Sequence, residues 1–186
     1  MVVTPELVNH PEEELARLLA DPEDPDLMAR FSQAAVKERE ILKEYIWRRE
    51  PELLNRYHLP LTETRVELLA EQYHHWDCDL KTAMEDLARL YDQVGRFAEK
   101  FLDHHGIELH FEPDAVDEIL QQAVARETSA LAVCQEMAKD LEYALKLVRD
   151  RTSQDQFILT REALCDLDAY LNRVIREHYQ TTLFRE

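Results

Sequence analysis

A chain of 186 residues, 45% apolar and 33% charged, has room for one domain or two small ones with a sizeable core. Its net charge of −17 excludes the basic surface on which binding to nucleic acid or anionic lipid depends, so we expect neither partner. No stretch approaches the ~20 apolar residues of a membrane span, and the acidic N-terminus lacks the regions of a signal peptide, so we expect a cytoplasmic protein without a membrane association.

The cysteine, glycine and proline contents indicate the redox state of the thiols and the type of secondary structure. The three cysteines, Cys78, Cys134 and Cys165, lie far apart and are odd in number. This usage favours reduced thiols over a disulfide framework. Two glycines and seven prolines in this length favour long helices joined by few tight turns.

The first 25 residues are the most proline-rich part of the chain. They hold four of the seven prolines and the acidic cluster DPEDPD. We predict one short helix over Glu12–Ala20 and interpret the rest of 1–25 as a flexible acidic lead or linker.

Residues 26–78 form a predicted helical region for which the sequence indicates no role. Asp24 or Asp26 can start a long helix that runs to about Arg49. Its buried stripe is predicted at Met28, Phe31, Ala35, Leu42 and Tyr45.

Two shorter helices follow in the same region. Pro51 begins the first, and Pro60 closes that segment. Thr62 caps the second, because its hydroxyl can accept a bond from an unpaired backbone N–H. The shared face of this second helix is predicted at Val66, Leu69, Ala70 and Tyr73. A loop or kink is expected near residues 75–77.

The longest helical pattern of the chain begins at Asp79. At 1.5 Å per residue the helix is roughly 40 Å long. It ends before Gly106, where the last turn holds His104 and His105. Its apolar stripe is predicted at Leu80, Met84, Leu87, Tyr91, Val94, Phe97 and Phe101.

Strict alternation of apolar and polar residues then predicts a strand over Ile107–Phe111. Pro113 is suited to the first turn of a helix, because its fixed φ is preset and its missing N–H costs nothing there. Thr128 or Ser129 can cap a second helix. The two buried stripes are predicted at Val116, Ile119, Leu120, Ala123 and Val124, and at Cys134, Met137, Leu141, Leu145 and Val148.

A polar loop separates the second of these helices from a short apolar strand, Phe157–Leu159. Thr160 can cap a final helix. Its buried positions are predicted at Leu164, Leu167, Leu171, Val174 and Ile175. We therefore predict a mainly α protein: a helical N-terminal region, then an α+β subdomain over 79–179 with a small two- or three-stranded sheet and an extra C-terminal helix.

The run GIELHFEPDAVDEILQQAVARETSAL resembles the C-terminal small domain, or lid, of Clp-type AAA+ ATPases, the ClpX-like unfoldases in particular. The family pattern reads G-V-x-L-x-F, then D/E-A-x-x-x-I, then A-x-x-x-A-R-x-T-G-A-R-G-L. The residues that fit it without a gap are Gly106, Leu109, Phe111, Ala115, Ile119, Ala123, Ala125, Arg126, Thr128 and Ala130. The resemblance covers about 87–166 and implies a lid fold that packs against an AAA+ large domain or neighbouring subunits.

One position departs from that family pattern. The arginine of the T-G-A-R segment is the family's sensor-2 residue, which contacts the nucleotide phosphates. This chain has Ser129 and Ala130 followed by Leu131 at that place. A branched alkyl group cannot supply the charged fork that phosphate recognition uses. The resemblance therefore implies the fold of a lid without its contact to nucleotide.

A phosphate-binding loop is also missing from the sequence. The Walker A pattern needs two glycines five apart and a following lysine, and the chain has only Gly95 and Gly106. We expect no catalytic site and no cofactor bound by this chain alone. ATP and Mg²⁺ are implied only for a parent ATPase.

A metal site is the weakest of the chemical hypotheses. His74 and Cys78 lie four residues apart, so a helix would place both on one face, and both can bind zinc. A zinc site needs three or four ligands, and nothing else shows matching spacing. We interpret this segment as a polar turn, and His104 and His105 as a helix C-terminus closed by Gly106.

Two functions from different classes remain open at this point. The chain is either the lid or assembly module of a Clp-like protein-remodelling ATPase, or a stand-alone helical adaptor that binds other proteins. A homo-oligomer is compatible with both.

Overall fold

The computed structural model describes residues 4–21, 25–75, 79–152 and 154–183. The chain divides into two compact units, Met1–Glu52 and Leu53–Glu186. Helices make up most of the described residues, and the two strands form one small sheet, so the predicted mainly α fold with a small sheet is confirmed. None of the described helices combines the length and the apolarity that crossing a lipid bilayer requires.

The first unit begins with two short helices, α1 (Pro5–Asn9) and α2 (Pro11–Ala20). Helix α2 is the one predicted, whereas α1 lies in the segment for which no helix was predicted. The Thr4 hydroxyl accepts a bond of 3.2 Å from the backbone N–H of Leu7. Pro5 fills the first helical position, where proline is favoured. This Thr-Pro pair is a helix start signal that the sequence analysis missed.

Helix α3 (Pro25–Arg48) has the predicted extent, but two residues of its predicted buried stripe are exposed. Met28 is 55% exposed and Tyr45 is 46% exposed, whereas Ile46 is fully buried. Tyr45 stays at the surface because the guanidinium of Arg49 lies over its ring, 5.2 Å from the centroid, and bonds its hydroxyl. Helix α4 (Glu50–Tyr57) follows, and the boundary between the units falls within it.

The second unit starts its helices at the predicted caps. Helix α5 (Glu63–His75) begins after Thr62, whose hydroxyl accepts from the N–H of Arg65 at 3.2 Å. Helix α6 (Leu80–His105) begins after Asp79 and ends at Gly106, which adopts the left-handed φ of 62°. The loop expected near residues 75–77 lies, from residue 76 onward, outside the described residues.

Two parallel strands, β1 (Glu108–Phe111) and β2 (Gln156–Leu159), form the sheet. Leu109 lies opposite Phe157, and Phe111 lies opposite Leu159. Both predicted strands are thus present, within one residue of their predicted bounds. A parallel pair needs a long crossover, which α7 (Pro113–Ala125) and α8 (Ala130–Thr152) provide.

The core of the second unit lies between α5, α6, α7, α8 and the inward face of the sheet. Ile119 of α7 and Leu141 of α8 are both 1% exposed, which confirms the phase of the two predicted stripes. Other apolar residues larger than alanine that are at most 1% exposed in this unit are Val66, Leu69, Leu87, Ile107, Leu120, Cys134, Leu145, Phe157 and Leu159.

The C-terminal part differs from the prediction, because two helices replace the single one. Helix α9 (Arg161–Cys165) ends at Asp166, and α10 (Leu167–Leu183) follows. The Asp166 carboxylate accepts from the N–H of Ala169 at 3.0 Å, so it starts a new helix instead of continuing the old one. Thr160 stands at the start of α9 without a side-chain bond to it.

The burial predicted for this final segment is also wrong. All five of its predicted buried positions are only half-buried: Leu164, Leu167, Leu171, Val174 and Ile175. Ala163 and Tyr170 are the buried residues here, each 2% exposed. The break at Asp166 changes the phase of the helix, so a stripe read through it does not stay on one face.

Candidate functional site

The N-terminus of α8 holds the position at which the resembled family carries its sensor-2 arginine. The Ser129 hydroxyl accepts from the N–H of Ala132 at 3.1 Å. The side-chain oxygen of Gln93, on α6, accepts from the N–H of Leu131 at 3.2 Å. Ala130 is fully buried, and Leu131 is partly exposed. Two of the N–H groups that an anion would use at a helix N-terminus are therefore bonded within the chain.

The turn before α8 holds one basic residue, Arg126, and its side chain pairs with a carboxylate of α8. The guanidinium of Arg126 lies 3.0 Å from the carboxylate of Glu136. Glu127 takes a positive φ of 50°, and Thr128 donates its N–H to the Ala123 carbonyl at 2.9 Å. Arg126 therefore does not take the place of the missing sensor-2 charge.

A buried ion pair joins α5 to α7, and the sequence analysis did not find it. Arg65 Nε lies 2.6 Å from Asp117 Oδ1, and the exposed fractions of the two side chains are 2% and 11%. Arg65 also donates to the Pro60 carbonyl at 2.7 Å, and its guanidinium lies 5.0 Å from the centre of the Tyr91 ring. Thr62 donates its hydroxyl to the other Asp117 oxygen at 2.7 Å. The pair joins α5, which lies before the predicted boundary at residue 79, to α7, which lies after it.

One cavity of the second unit is a groove of about 560 Å³ beside β1, which we call the β1-edge groove. It lies between the end of α4, one face of α6, strand β1 and the start of α7. Its apolar lining comes from Tyr57, Tyr91, Val94, Phe111 and Val116. Polar side chains such as Asp92, Arg96 and Glu99 come from α6. The volume falls in the range of ligand and peptide sites.

Two residues of the β1-edge groove have unusual backbone or steric properties. His58 has a positive φ of 53°, which costs a non-glycine residue free energy on the order of 1 kcal/mol. Gly95 lies inside α6, where glycine is less favourable than alanine by about 1 kcal/mol. A Cβ added at Gly95 would meet no atom within 4 Å, so no internal packing requires this glycine.

Among the described residues, no group of three or more His, Cys, Asp or Glu side chains could hold a metal ion. The described histidines and cysteines therefore form no metal centre. The side chains of His74 and His75 and all of residues 76–78 lie outside the described part, so the His74–Cys78 hypothesis stays a prediction. His105 lies at the end of α6, 3.4 Å from a Glu142 oxygen, and its carbonyl accepts from Arg149 at 2.8 Å.

The two described cysteines differ in burial. Burial raises the pKa of the Cys134 thiol to about 12, so it stays protonated at neutral pH. Cys165 is exposed. Neither forms a disulfide within the described residues.

Comparison with known proteins gives no relative. No protein-family model matches the chain, and the curated proteins and the solved structures give no match either.

Proposed function

We propose that this chain acts as a lid or assembly module of a Clp-like AAA+ protein-remodelling ATPase in the cytoplasm, without a nucleotide-binding core of its own. The observation that carries the proposal is the order α6, β1, α7, α8, β2 with parallel strands, in the same segment in which the residues resemble the family's lid. In this role the chain packs against an AAA+ large domain or neighbouring subunits and transmits nucleotide-dependent motion. ATP and Mg²⁺ would be bound by the parent machine.

The proposed module differs from the lids that it resembles because it makes no contact with the nucleotide phosphates. Leu131 has no charge, and Gln93 and Ser129 supply the acceptors at the α8 N-terminus. Position 131 can therefore serve for packing against another domain. We expect no ATP binding by the isolated chain, and calorimetric titration with ATP and Mg²⁺ measures this.

The test of the proposal is assembly in trans. A Clp-type ATPase from the same host is prepared without its own lid and mixed with the purified chain. Light scattering then measures ring assembly, and loss of fluorescence of a tagged fluorescent protein measures ATP-dependent unfolding. We expect the chain to restore assembly at saturating concentration. The Ile119→Asp variant, which places a charge in the core, serves as the misfolded control.

Failure of the intact chain to restore assembly, when the complete ATPase assembles under the same conditions, contradicts the lid proposal. The reading frame upstream of Met1 gives an independent check. A Walker A and Walker B sequence there supports a lid within a longer ATPase.

The second candidate is the stand-alone adaptor, which the exposed apolar side chains of the first unit favour. Val8, Leu15 and Leu19 are 66%, 54% and 77% exposed. Exposed apolar side chains of this kind suit a protein-protein contact. Cross-linking in host cells followed by mass spectrometry distinguishes the two functions, because an adaptor cross-links through 4–20 to a protein that is not an AAA+ ATPase.

A further inference from the structure

Strand β1 has one free edge. Its ladder bonds to β2 use the even-numbered residues: Glu108 donates its N–H to Asp155 at 2.8 Å, and Glu112 donates to Leu159 at 2.9 Å. In a strand, successive backbone groups point to opposite sides. The N–H and C=O groups of Leu109 and Phe111 therefore point away from β2. Among the described residues no hydrogen bond reaches them.

This free edge opens into the β1-edge groove. Leu109, His110 and Phe111 line the groove, whereas none of the described residues of β2 does. Gly95 lies on the opposite wall, and the space above its Cα is open. The groove thus has strand β1 on one side, where Leu109 is 5% exposed and Phe111 is partly exposed, and a helix surface without a side chain on the other.

The other edge of the sheet is closed. The hydroxyl of Tyr170, on α10, donates to the outward carbonyl of Ile158 at 2.9 Å. Covering an edge in this way prevents another strand from pairing with it. Only one of the two edges therefore has backbone groups ready for a further strand, among the residues that the structure describes.

Charge indicates the chemistry of the occupant. Asp92 and Arg96 of the groove neutralise each other at 2.7 Å. Glu99 lies exposed on the same wall and forms no ion pair with a described residue, so the groove presents a net negative charge. A second copy of the chain would bring another net charge of −17 to this surface, which opposes self-association.

We propose that the β1-edge groove binds an extended segment of a partner protein, which adds to β1 as a third strand. The segment carries apolar residues at alternate positions, which contact Tyr57, Tyr91 and Phe111, and a lysine or arginine that reaches Glu99. The main-chain bonds to Leu109 and Phe111 supply affinity, and the side-chain contacts supply sequence preference. This inference does not depend on the lid proposal.

The experiment starts from the whole chain and a displayed library of random 12-residue peptides. Selection yields peptides in which apolar residues alternate and lysine or arginine recurs. A fluorescent synthetic copy of an enriched peptide then gives the dissociation constant by anisotropy. The same selection on denatured chain removes peptides that bind unfolded protein.

Two substitutions at Gly95 form the matched pair. Gly95→Trp fills the groove with an indole ring. We expect this substitution to raise the dissociation constant of the peptide by at least about thirtyfold, where each 1.4 kcal/mol of binding free energy corresponds to a tenfold change. Gly95→Ala adds one methyl group to open space, and binding stays within about threefold of the unsubstituted chain. Neither variant should lower the thermal midpoint, because a Cβ at this position meets no atom within 4 Å, and Gly95→Ala should raise it slightly, because glycine is the less favourable residue inside a helix.

Glu99→Lys tests the charge separately, and we expect it to weaken binding of lysine- or arginine-bearing peptides by about tenfold at low salt and less at high salt. Hydrogen exchange tests the backbone bonds. The amides of Leu109 and Phe111 exchange more slowly when the peptide is bound, while those of exposed Tyr143 and Leu147 do not change.

Any of three results would overturn the proposal. The selection could enrich no peptide, Gly95→Trp could leave peptide binding unchanged, or the bound peptide could add no protection to the amides of Leu109 and Phe111. A dimer of the chain that Gly95→Trp dissociates would show that the occupant is a second copy.

Discussion

The two compact units differ in where their apolar side chains lie. Of the described residues of the first unit, Ile46 is the buried apolar side chain, whereas Val8, Leu15, Leu19, Met28, Val36 and Ile41 are exposed. The second unit buries apolar residues on α5, α6, α7, α8 and α10, and on both strands.

Different interactions therefore stabilise each unit internally. In the first, Glu14 is 4% exposed and its carboxylate pairs with Arg17 of α2 and Arg30 of α3, each at 3.2 Å. The Glu14–Arg30 ion pair links α2 to α3, while Leu15 and Leu19 of α2 are exposed. In the second, burial of apolar surface contributes most, at roughly 25 cal/mol per Å². The difference indicates that apolar packing contributes more to the second unit than to the described part of the first.

The largest effect should come from the buried ion pair of the second unit between Arg65 and Asp117. Asp117→Ala leaves the Arg65 guanidinium buried without its carboxylate, and we expect a loss of about 3–5 kcal/mol in the free energy of unfolding. The double variant Arg65→Met, Asp117→Leu should lose clearly less, because no charge then stays unpaired. Urea unfolding of the three chains measures this. Equal losses in the single and double variants would mean that packing, and not charge, decides the stability here.

Core truncation is the next largest expected effect. Leu141→Ala and Ile119→Ala should each cost about 2–5 kcal/mol, the usual range for buried large-to-small changes. Leu147→Ala, on the same helix but at a position 42% exposed, is the matched control and should cost much less. A loss below about 0.5 kcal/mol for Leu141→Ala would place that side chain at the surface.

In the first unit the same chemical change should have little effect. Leu15→Ala and Leu19→Ala remove side chains that are mostly in water, so we expect changes in unfolding free energy of about 0.5 kcal/mol or less. Their comparison with Leu141→Ala isolates burial, since all three delete the same atoms. A loss of 2 kcal/mol or more, on the order of a buried leucine, would show that α2 is covered in solution.

Leu131→Arg should have the smallest effect on stability. The side chain is partly exposed in the first turn of α8, so the change in unfolding free energy should stay within about 0.5 kcal/mol. The arginine should not create ATP binding, because one charge cannot replace a phosphate loop. Denaturant unfolding and calorimetric titration with ATP and Mg²⁺ measure the two outcomes. A loss of several kcal/mol would mean that position 131 is part of the core.

The parts of the fold that the sequence predicts well are those with local signals. Asp79 and Gly106 bound α6, and alternation marks β1, so these elements follow from caps and periodicity alone. The start of α10 also has a local signal, because the Asp166 carboxylate caps the helix. The leucines before and after Asp166 nevertheless fit one continuous stripe, so the sequence analysis predicted a single helix there.

The candidate sites were less predictable, because they depend on residues that are distant in sequence. Arg65 and Asp117 are 52 positions apart, and each looks like an ordinary charged residue in its helix. A hint was present, since Asp117 lies beside Val116 on an otherwise apolar face. The β1-edge groove requires the end of α4, the middle of α6 and β1 to meet, and no periodicity in a single segment can show that. For Leu131 the sequence indicated a missing charge, but not that Gln93 would bond its N–H.

The parallel pairing of β1 and β2 has a consequence for the order of folding. Glu108 and Gln156 lie opposite each other although 48 positions separate them. The strands can pair only after α7 and α8 have formed and returned the chain, so closure of this long segment should limit the folding rate. The helices gain their contacts early, and the sheet gains its own after the rate-limiting step. Substitutions in β2 should then accelerate unfolding and leave the folding rate nearly unchanged.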